Sequence, residues 1–200
     1  FSKLDELYAI EEINYIELPK TLFETVEASN REIGATQVWE RYGLSGSGVI
    51  IGFIDSGIDY THPAFINEDG TTRIDYIYDL SLQGQVFNSD DINRALNSSD
   101  PYSIVPSRDE AGHGTHVAGI IGAVNGNGKG VSSIAGGTGN GDGVCLMTCQ
   151  IFEGNKASSD AQSAAAFIYA ADNGACIAQC SYGTSTIITE DDIYINGNGK

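Results

Sequence analysis

Positive charge is scarce in this chain: ten lysines and arginines stand against 27 acidic residues, a formal net charge of −17 over 200 residues. Such a surface repels phosphate backbones and carries no basic stripe, which argues against nucleic acid as a partner. It suits solubility, a cationic substrate or a calcium partner. Long hydrophobic runs are missing too. No stretch approaches the roughly 18 apolar residues of a membrane-crossing helix, so no membrane span is expected. The N-terminus, Phe1-Ser2-Lys3, has neither an initiating methionine nor the apolar run of a signal peptide, as expected of a processed or excised piece. Proline is sparse at four residues, whereas glycine reaches 25, which predicts many tight turns and close backbone approaches. The four cysteines form two i,i+4 pairs, Cys145 with Cys149 and Cys176 with Cys180, not the CxxC of a zinc or redox motif. They lie in apolar runs and read as buried free thiols used as small hydrophobes.

Residues 1–30 are acidic and irregular, and read as an N-terminal arm or the remnant of a propeptide; residues 31–200 then form one partial domain. A helix is expected from Ser29, as cap with Glu32 three residues on, to Tyr42, stopping at Gly43. Val49 to Ile54 is a continuous, largely β-branched apolar run of the kind buried on both faces of a parallel sheet, and it ends on Asp55. From Ile58 to Gly112 the chain is loop-rich. His62-Pro63, Asp69-Gly70 and Asp100-Pro101 signal turns, and one strand is predicted from Ile74 to Tyr78. Residues 83–108 have no clear period and read as a surface excursion at the rim of a substrate site. A tightly packed helix is expected over His113 to Val124, then a strand from Val144 to Phe152. A helix follows from Ser159 to Asn173 with apolar spacing through Ala164, Phe167, Ile168 and Ala171, and a strand from Ala175 to Ser181. This order argues for an α/β fold with a parallel sheet and helices on both faces.

Two segments carry chemistry. Phe53-Ile54-Asp55-Ser56-Gly57-Ile58-Asp59 places a carboxylate at a strand end, where open α/β sheets put their ligands. Gly112-His113-Gly114-Thr115-His116-Val117-Ala118-Gly119 opens a helix on an imidazole. In this order they resemble the aspartate and histidine motifs of the subtilisin-like serine proteases, over roughly residues 35–183. The resemblance implies a subtilisin-like domain, incomplete on its C-terminal side. It implies His113 as general base and acid, and Asp55 as the carboxylate that orients it. It also implies that Ser181, Tyr182 and Gly183 pair with extended substrate, while Phe152 and Gly154 line the opposite edge of the cleft. An exported protein, extracellular or in the cell envelope, follows from the family's habit.

Other parts of the pattern are missing. The lone Gly183-Thr184-Ser185 runs on into Thr186-Ile187-Ile188-Thr189, a β-branched stretch unlike the small-residue helix that carries the family's serine. Asn196 and Asn198 sit in Asn-Gly turns and make poor oxyanion donors. The nucleophilic serine and the oxyanion asparagine are therefore expected in a C-terminal complementary segment or chain, and this chain alone should not hydrolyse peptides. The 58 positions from Asp55 to His113 suggest an insertion within 75–110. Calcium, a family habit, would use the loop around Asn127, although the acidic ligand usual after the His-Pro turn is Ala64 here. Two alternatives remain: a non-catalytic module that binds extended peptides, and a zinc site on His113 and His116, for which the HxxH spacing is wrong.

Overall fold

The computed structural model describes residues 30–183 apart from residues 130, 138, 139, 155 and 157. Five strands form one sheet in the order β3-β2-β4-β1-β5. They are β1 (Ile50–Asp55), β2 (Ile74–Asp79), β3 (Gln85–Asn88), β4 (Cys145–Gln150) and β5 (Ile177–Gln179). The pairs β2–β4, β4–β1 and β1–β5 are parallel, and β3 runs antiparallel to β2 at the edge.

Strand alternation sorts the side chains of the central strands into two cores. Ile51, Phe53, Ile77 and Leu146 face one way with Ile92, Ala95 and Ala118; Ile54, Met147 and Cys149 face the other with Ala166 and Ala170. The helices α1 (Ala35–Tyr42), α2 (Ser89–Leu96), α3 (His113–Gly122) and α4 (Asp160–Asp172) follow in chain order. The first core holds residues of α2 and α3, and the second holds residues of α4, so helices cover both faces as expected. Asp55 lies in register with Ile51 and Phe53, which turns it to the side that α3 covers.

Several expectations need correction. The first helix does not run unbroken from residue 29: Gly34 takes a left-handed conformation and α1 starts at Ala35. Ser29 itself lies outside the described residues, as do the rest of the arm (1–28) and Ser185, Asn196 and Asn198. The excursion over 83–108 is in part structured, as β3 followed by α2. A capping box of Asn88 and Asp91 starts α2, which buries Ile92 and Ala95 completely. In α4 the inward face is Ala166 and Ala170, whereas Phe167 and Ile168 are 44% and 62% exposed. The reason lies beneath the helix, where a Cβ added at Gly52 would stand only 3.1 Å from the Ala170 methyl. The helix sits so close to the sheet that methyl groups alone fit there, and its bulky residues turn outward.

The cysteines divide as well. Cys149 is buried and Cys145 half-buried, but Cys176 and Cys180 are exposed, and all four are free. Burial pushes the Cys149 thiol up to about 12, with Cys180 adding a little. Burial, helped by neighbouring Asp75, pushes Cys145 up to about 11. An unfolded thiol ionises near 9, so the folded chain holds these protons longer. Their contribution to stability is full below that pH and declines as pH climbs toward 11 and 12. The urea midpoint is therefore expected to fall between about pH 8.5 and 10, and to fall less steeply in Cys149→Ala. Parallel pH profiles for the two proteins would refute this.

Candidate active site

At the C-terminal ends of three strands, one row of polar side chains lies on the sheet face that α2 and α3 cover: Asp79 on β2, Gln150 on β4 and Asp55 on β1, all buried. Asp55 is the member that meets the helix. Its Oδ1 lies 2.7 Å from His113 Nδ1 and accepts the Ser56 backbone N–H at 2.7 Å. The Asp55 side chain is 2% exposed and that of His113 50%, so a buried carboxylate holds an imidazole that solvent and ligands can reach. A carboxylate accepts but does not donate, so the neutral ring carries its proton on Nδ1 and leaves Nε2 with the free lone pair. That tautomer is the one able to take a proton from a hydroxyl.

Close backbone approach makes the contact feasible. A Cβ at Gly114 would collide with the Gly57 carbonyl oxygen, and one at Gly57 would collide with the Gln150 side-chain amide. Residues outside the two motifs supply the bracing, and they escaped the sequence reading. Asp109 Oδ1 accepts from Ser56 Oγ at 2.8 Å and from Gly112 N at 2.9 Å; Oδ2 accepts from Thr115 N at 2.8 Å and Thr115 Oγ1 at 2.6 Å. Ser56 Oγ accepts in turn from Gly114 N, and Thr115 Oγ1 from Asp59 N. One carboxylate thus ties the turn after β1 to the first turn of α3, where it also satisfies otherwise unpaired helix N–H groups. Gln150 acts from below: Nε2 donates to the carbonyls of Arg108 and Phe152, and Oε1 accepts from Ser107 Oγ. Asp109 stands four residues before His113, and nothing local distinguishes it from a surface acid.

Asp109→Ala is expected to cost about 2 kcal/mol of stability, because it strands several N–H and O–H donors at a half-buried seam. Asp109→Asn should recover part of it. Denaturant unfolding of the three proteins checks this, and a loss under about 0.5 kcal/mol for the alanine variant would refute the bracing role.

The other site residues fall into two groups. Ser181, Tyr182 and Gly183 follow β5 after the single residue Cys180, and β5 pairs with β1 alone among the described strands. Phe152 and Tyr182 meet edge-to-face with ring centroids 5.3 Å apart, so two of the expected cleft residues are in contact. Gly154 takes a left-handed conformation beside Glu110. Asn127 lies apart from all of these. Its Oδ1 accepts from Lys129 N at 2.9 Å, and Glu68 and Lys129 line the same cleft. With Glu68 as the one carboxylate lining this cleft and a lysine lining it too, the site is a weak fit for calcium, which prefers several oxygens and carboxylates first. His113 is engaged with Asp55, and among the described residues no three His, Cys, Asp or Glu side chains cluster to hold a metal.

A parallel-dominant α/β sheet with a strand-end carboxylate bonded to a helix-opening histidine defines the class of protein. Comparison with known proteins gives the family: the subtilase-family profile matches residues 46–198, and the chain belongs to that family. It is similar to the PII-type proteinase of Lactococcus lactis subsp. cremoris, at 31% identity over 132 residues, 62% of this chain and 7% of that protein. Fervidolysin of Fervidobacterium pennivorans is 32% identical over 158 residues, 76% of this chain and 18% of that one. Among solved structures, the CspB protease of Clostridium perfringens superposes with a TM-score of 0.65 at 38% identity, covering 78% of this chain and 34% of that chain. Crystalline fervidolysin gives a TM-score of 0.51 at 27% identity, covering 84% and 22%. The chain thus spans about a third or less of the length of these relatives.

Proposed function

We propose that this chain supplies the aspartate and histidine of a serine endopeptidase, with the serine nucleophile and oxyanion asparagine on a C-terminal segment or companion chain. The observation that carries the reading is the 2.7 Å contact from His113 Nδ1 to the buried Asp55 carboxylate, in a member of the subtilase family. In this reaction His113 Nε2 takes the proton of the serine hydroxyl as the hydroxyl attacks the peptide carbonyl. It then returns the proton to the departing amine, while Asp55 stabilises the imidazolium between the two steps.

Exposed apolar surface supports such a complement. Phe167 and Ile168 on the outer face of α4 and Ile177 on β5 are all exposed, the last at 53%. Among the described strands β5 is an edge of the sheet, and an exposed apolar edge favours cover by further strands or helices. Substrate is a peptide or protein laid in extended form along Ser181, Tyr182 and Gly183, with Phe152 and Gly154 opposite. The acidic surface and the family suit a protein working outside the cell or in its envelope. Among the described residues no helix is long and apolar enough to cross a membrane.

Labelling of the native protein with a serine-reactive fluorophosphonate, followed by peptide mass mapping, tests the reading. The expected adduct lies on a serine outside residues 30–183, and it disappears in His113→Ala. Absence of any adduct would move the protein to a peptide-binding role without catalysis.

A further inference from the structure

Glu110 stands where the loop before α3 meets the edge of the cleft. Gln150 Nε2 holds the two segments side by side, donating to the Arg108 carbonyl at 3.0 Å and to the Phe152 carbonyl at 3.2 Å. Across this seam Glu110 Oε2 lies 3.1 Å from the position a Cβ would take on Gly154, so the carboxylate rests against bare backbone at the cleft edge. Gly154 is also left-handed, at φ 56°, and a side chain there would be strained and would crowd the carboxylate.

The neighbouring charges are committed elsewhere, and Glu110 is not. Asp55 is buried against His113, and both oxygens of Asp109 are spent on bracing α3. Glu153 pairs with Lys156 at 2.8 Å. The Arg108 guanidinium carbon stands over the Tyr102 ring, 3.7 Å from its centroid. Glu110 is exposed, and among the described residues it makes no hydrogen bond or ion pair.

An exposed carboxylate is ordinary, but this one has a particular place. Glu110 precedes His113 by three residues, a backbone reach of about 10 Å at most, which is the length of about three residues of extended peptide. Side chains of such a peptide alternate in direction, so one in that stretch turns toward Glu110. A lysine or arginine there supplies the partner the carboxylate lacks, and arginine does so with two parallel hydrogen bonds. The net charge of −17 draws cationic peptides toward the chain in the first place.

We infer that Glu110 is a specificity residue, pairing with a lysine or arginine of the substrate within about three residues of the scissile bond, where the peptide passes Gly154. The substrates are then basic sequences. This role rests on the peptide cleft proposed above, and the experiment separates the two.

The probes are peptide pairs that differ only in arginine against citrulline, a neutral group of nearly the same shape, placed in turn at each position near the cut bond. In the complete protease the arginine peptide should be favoured about fivefold in kcat/KM at one position, the range of a partly exposed ion pair. Glu110→Gln should bring that ratio close to one. Asp69→Asn removes the same charge at an exposed turn and should keep the ratio. A ratio near one in the unaltered protease, or one that survives Glu110→Gln, would overturn the assignment. Equal losses in the two variants would overturn it as well, because the preference would then belong to the field of the whole chain. If no peptide is cut, catalysis is refuted separately; the same pairs are then compared by dissociation constant in fluorescence anisotropy, and the same ratios decide the role of Glu110.

Discussion

Asp55→Asn is expected to lower kcat of the complete protease by about 10⁴-fold with little change in KM, the scale seen when the corresponding carboxylate of other serine proteases is neutralised. The geometry explains the size of the effect. At present Asp55 Oδ1 accepts from His113 Nδ1 at 2.7 Å and also from the Ser56 N–H. An asparagine amide nitrogen turned toward the ring donates, and it then selects the tautomer with the lone pair on Nδ1 and the proton on Nε2. The nitrogen that should receive the serine proton is already occupied. Nor does a neutral amide stabilise the imidazolium that forms during attack. His113→Ala should cost more, on the order of 10⁶-fold, because it removes the base itself. Asp69→Asn, at an exposed turn where Asp69 bonds only Thr71, should leave kcat within a factor of two. Steady-state kinetics on a chromogenic peptide compares the variants, and a loss below about tenfold for Asp55→Asn would remove Asp55 from the triad.

Gly114→Ala should be nearly as damaging, although it touches no catalytic atom. The new methyl would run into the Gly57 carbonyl oxygen, and both are backbone positions with no rotamer to change. The first turn of α3 must then move away from the turn after β1. Overpacking of this kind costs about 1–3 kcal/mol, and a shift near 1 Å at a catalytic group costs about 10²-fold in rate. Because His113 is the adjacent residue, its 2.7 Å contact with Asp55 absorbs that movement. Gly112→Ala separates strain from displacement. Gly112 sits at φ 71° with nothing within 4 Å of an added Cβ, so alanine there meets backbone strain of about 1–2 kcal/mol without a collision. Thermal unfolding should show both variants destabilised, whereas kcat should fall steeply only in Gly114→Ala. Equal kinetic losses would mean that the close approach at Gly57 is unrelated to the alignment of His113.

Elements whose pattern completes itself within a few residues were readable. The run ending at Asp55 became β1 because β-branched residues buried on both faces have few other options, and the helix opening at His113 was marked by closely spaced small residues. The turns at His62-Pro63 and Asp100-Pro101 appear as short 3₁₀ segments, their prolines at the first positions. Where two patterns were equally good, the reading failed. In α4 alanines occupy several faces, so the i,i+3,i+4 spacing through Phe167 and Ile168 was real yet pointed away from the sheet. Residues 83–108 showed no period because β3 and α2 are short and contiguous, the last residue of the strand, Asn88, serving as cap of the helix. The Asn88 to Asp91 spacing was the local signal available.

The sequence by itself determined the chemistry on offer: a strand-end carboxylate, a helix-opening imidazole, an acidic surface and a family pattern without a recognisable nucleophile. The tertiary structure alone decided that Asp55 and His113, 58 positions apart, share a hydrogen bond, that Asp109 and Gln150 brace them, and that α4 turns its alanines inward. The division has a physical cause. Strand alternation and helix caps are satisfied by neighbours in sequence, whereas the order of strands in the sheet and the closeness of Gly114 to Gly57 depend on how whole elements pack. No local pattern carries that information.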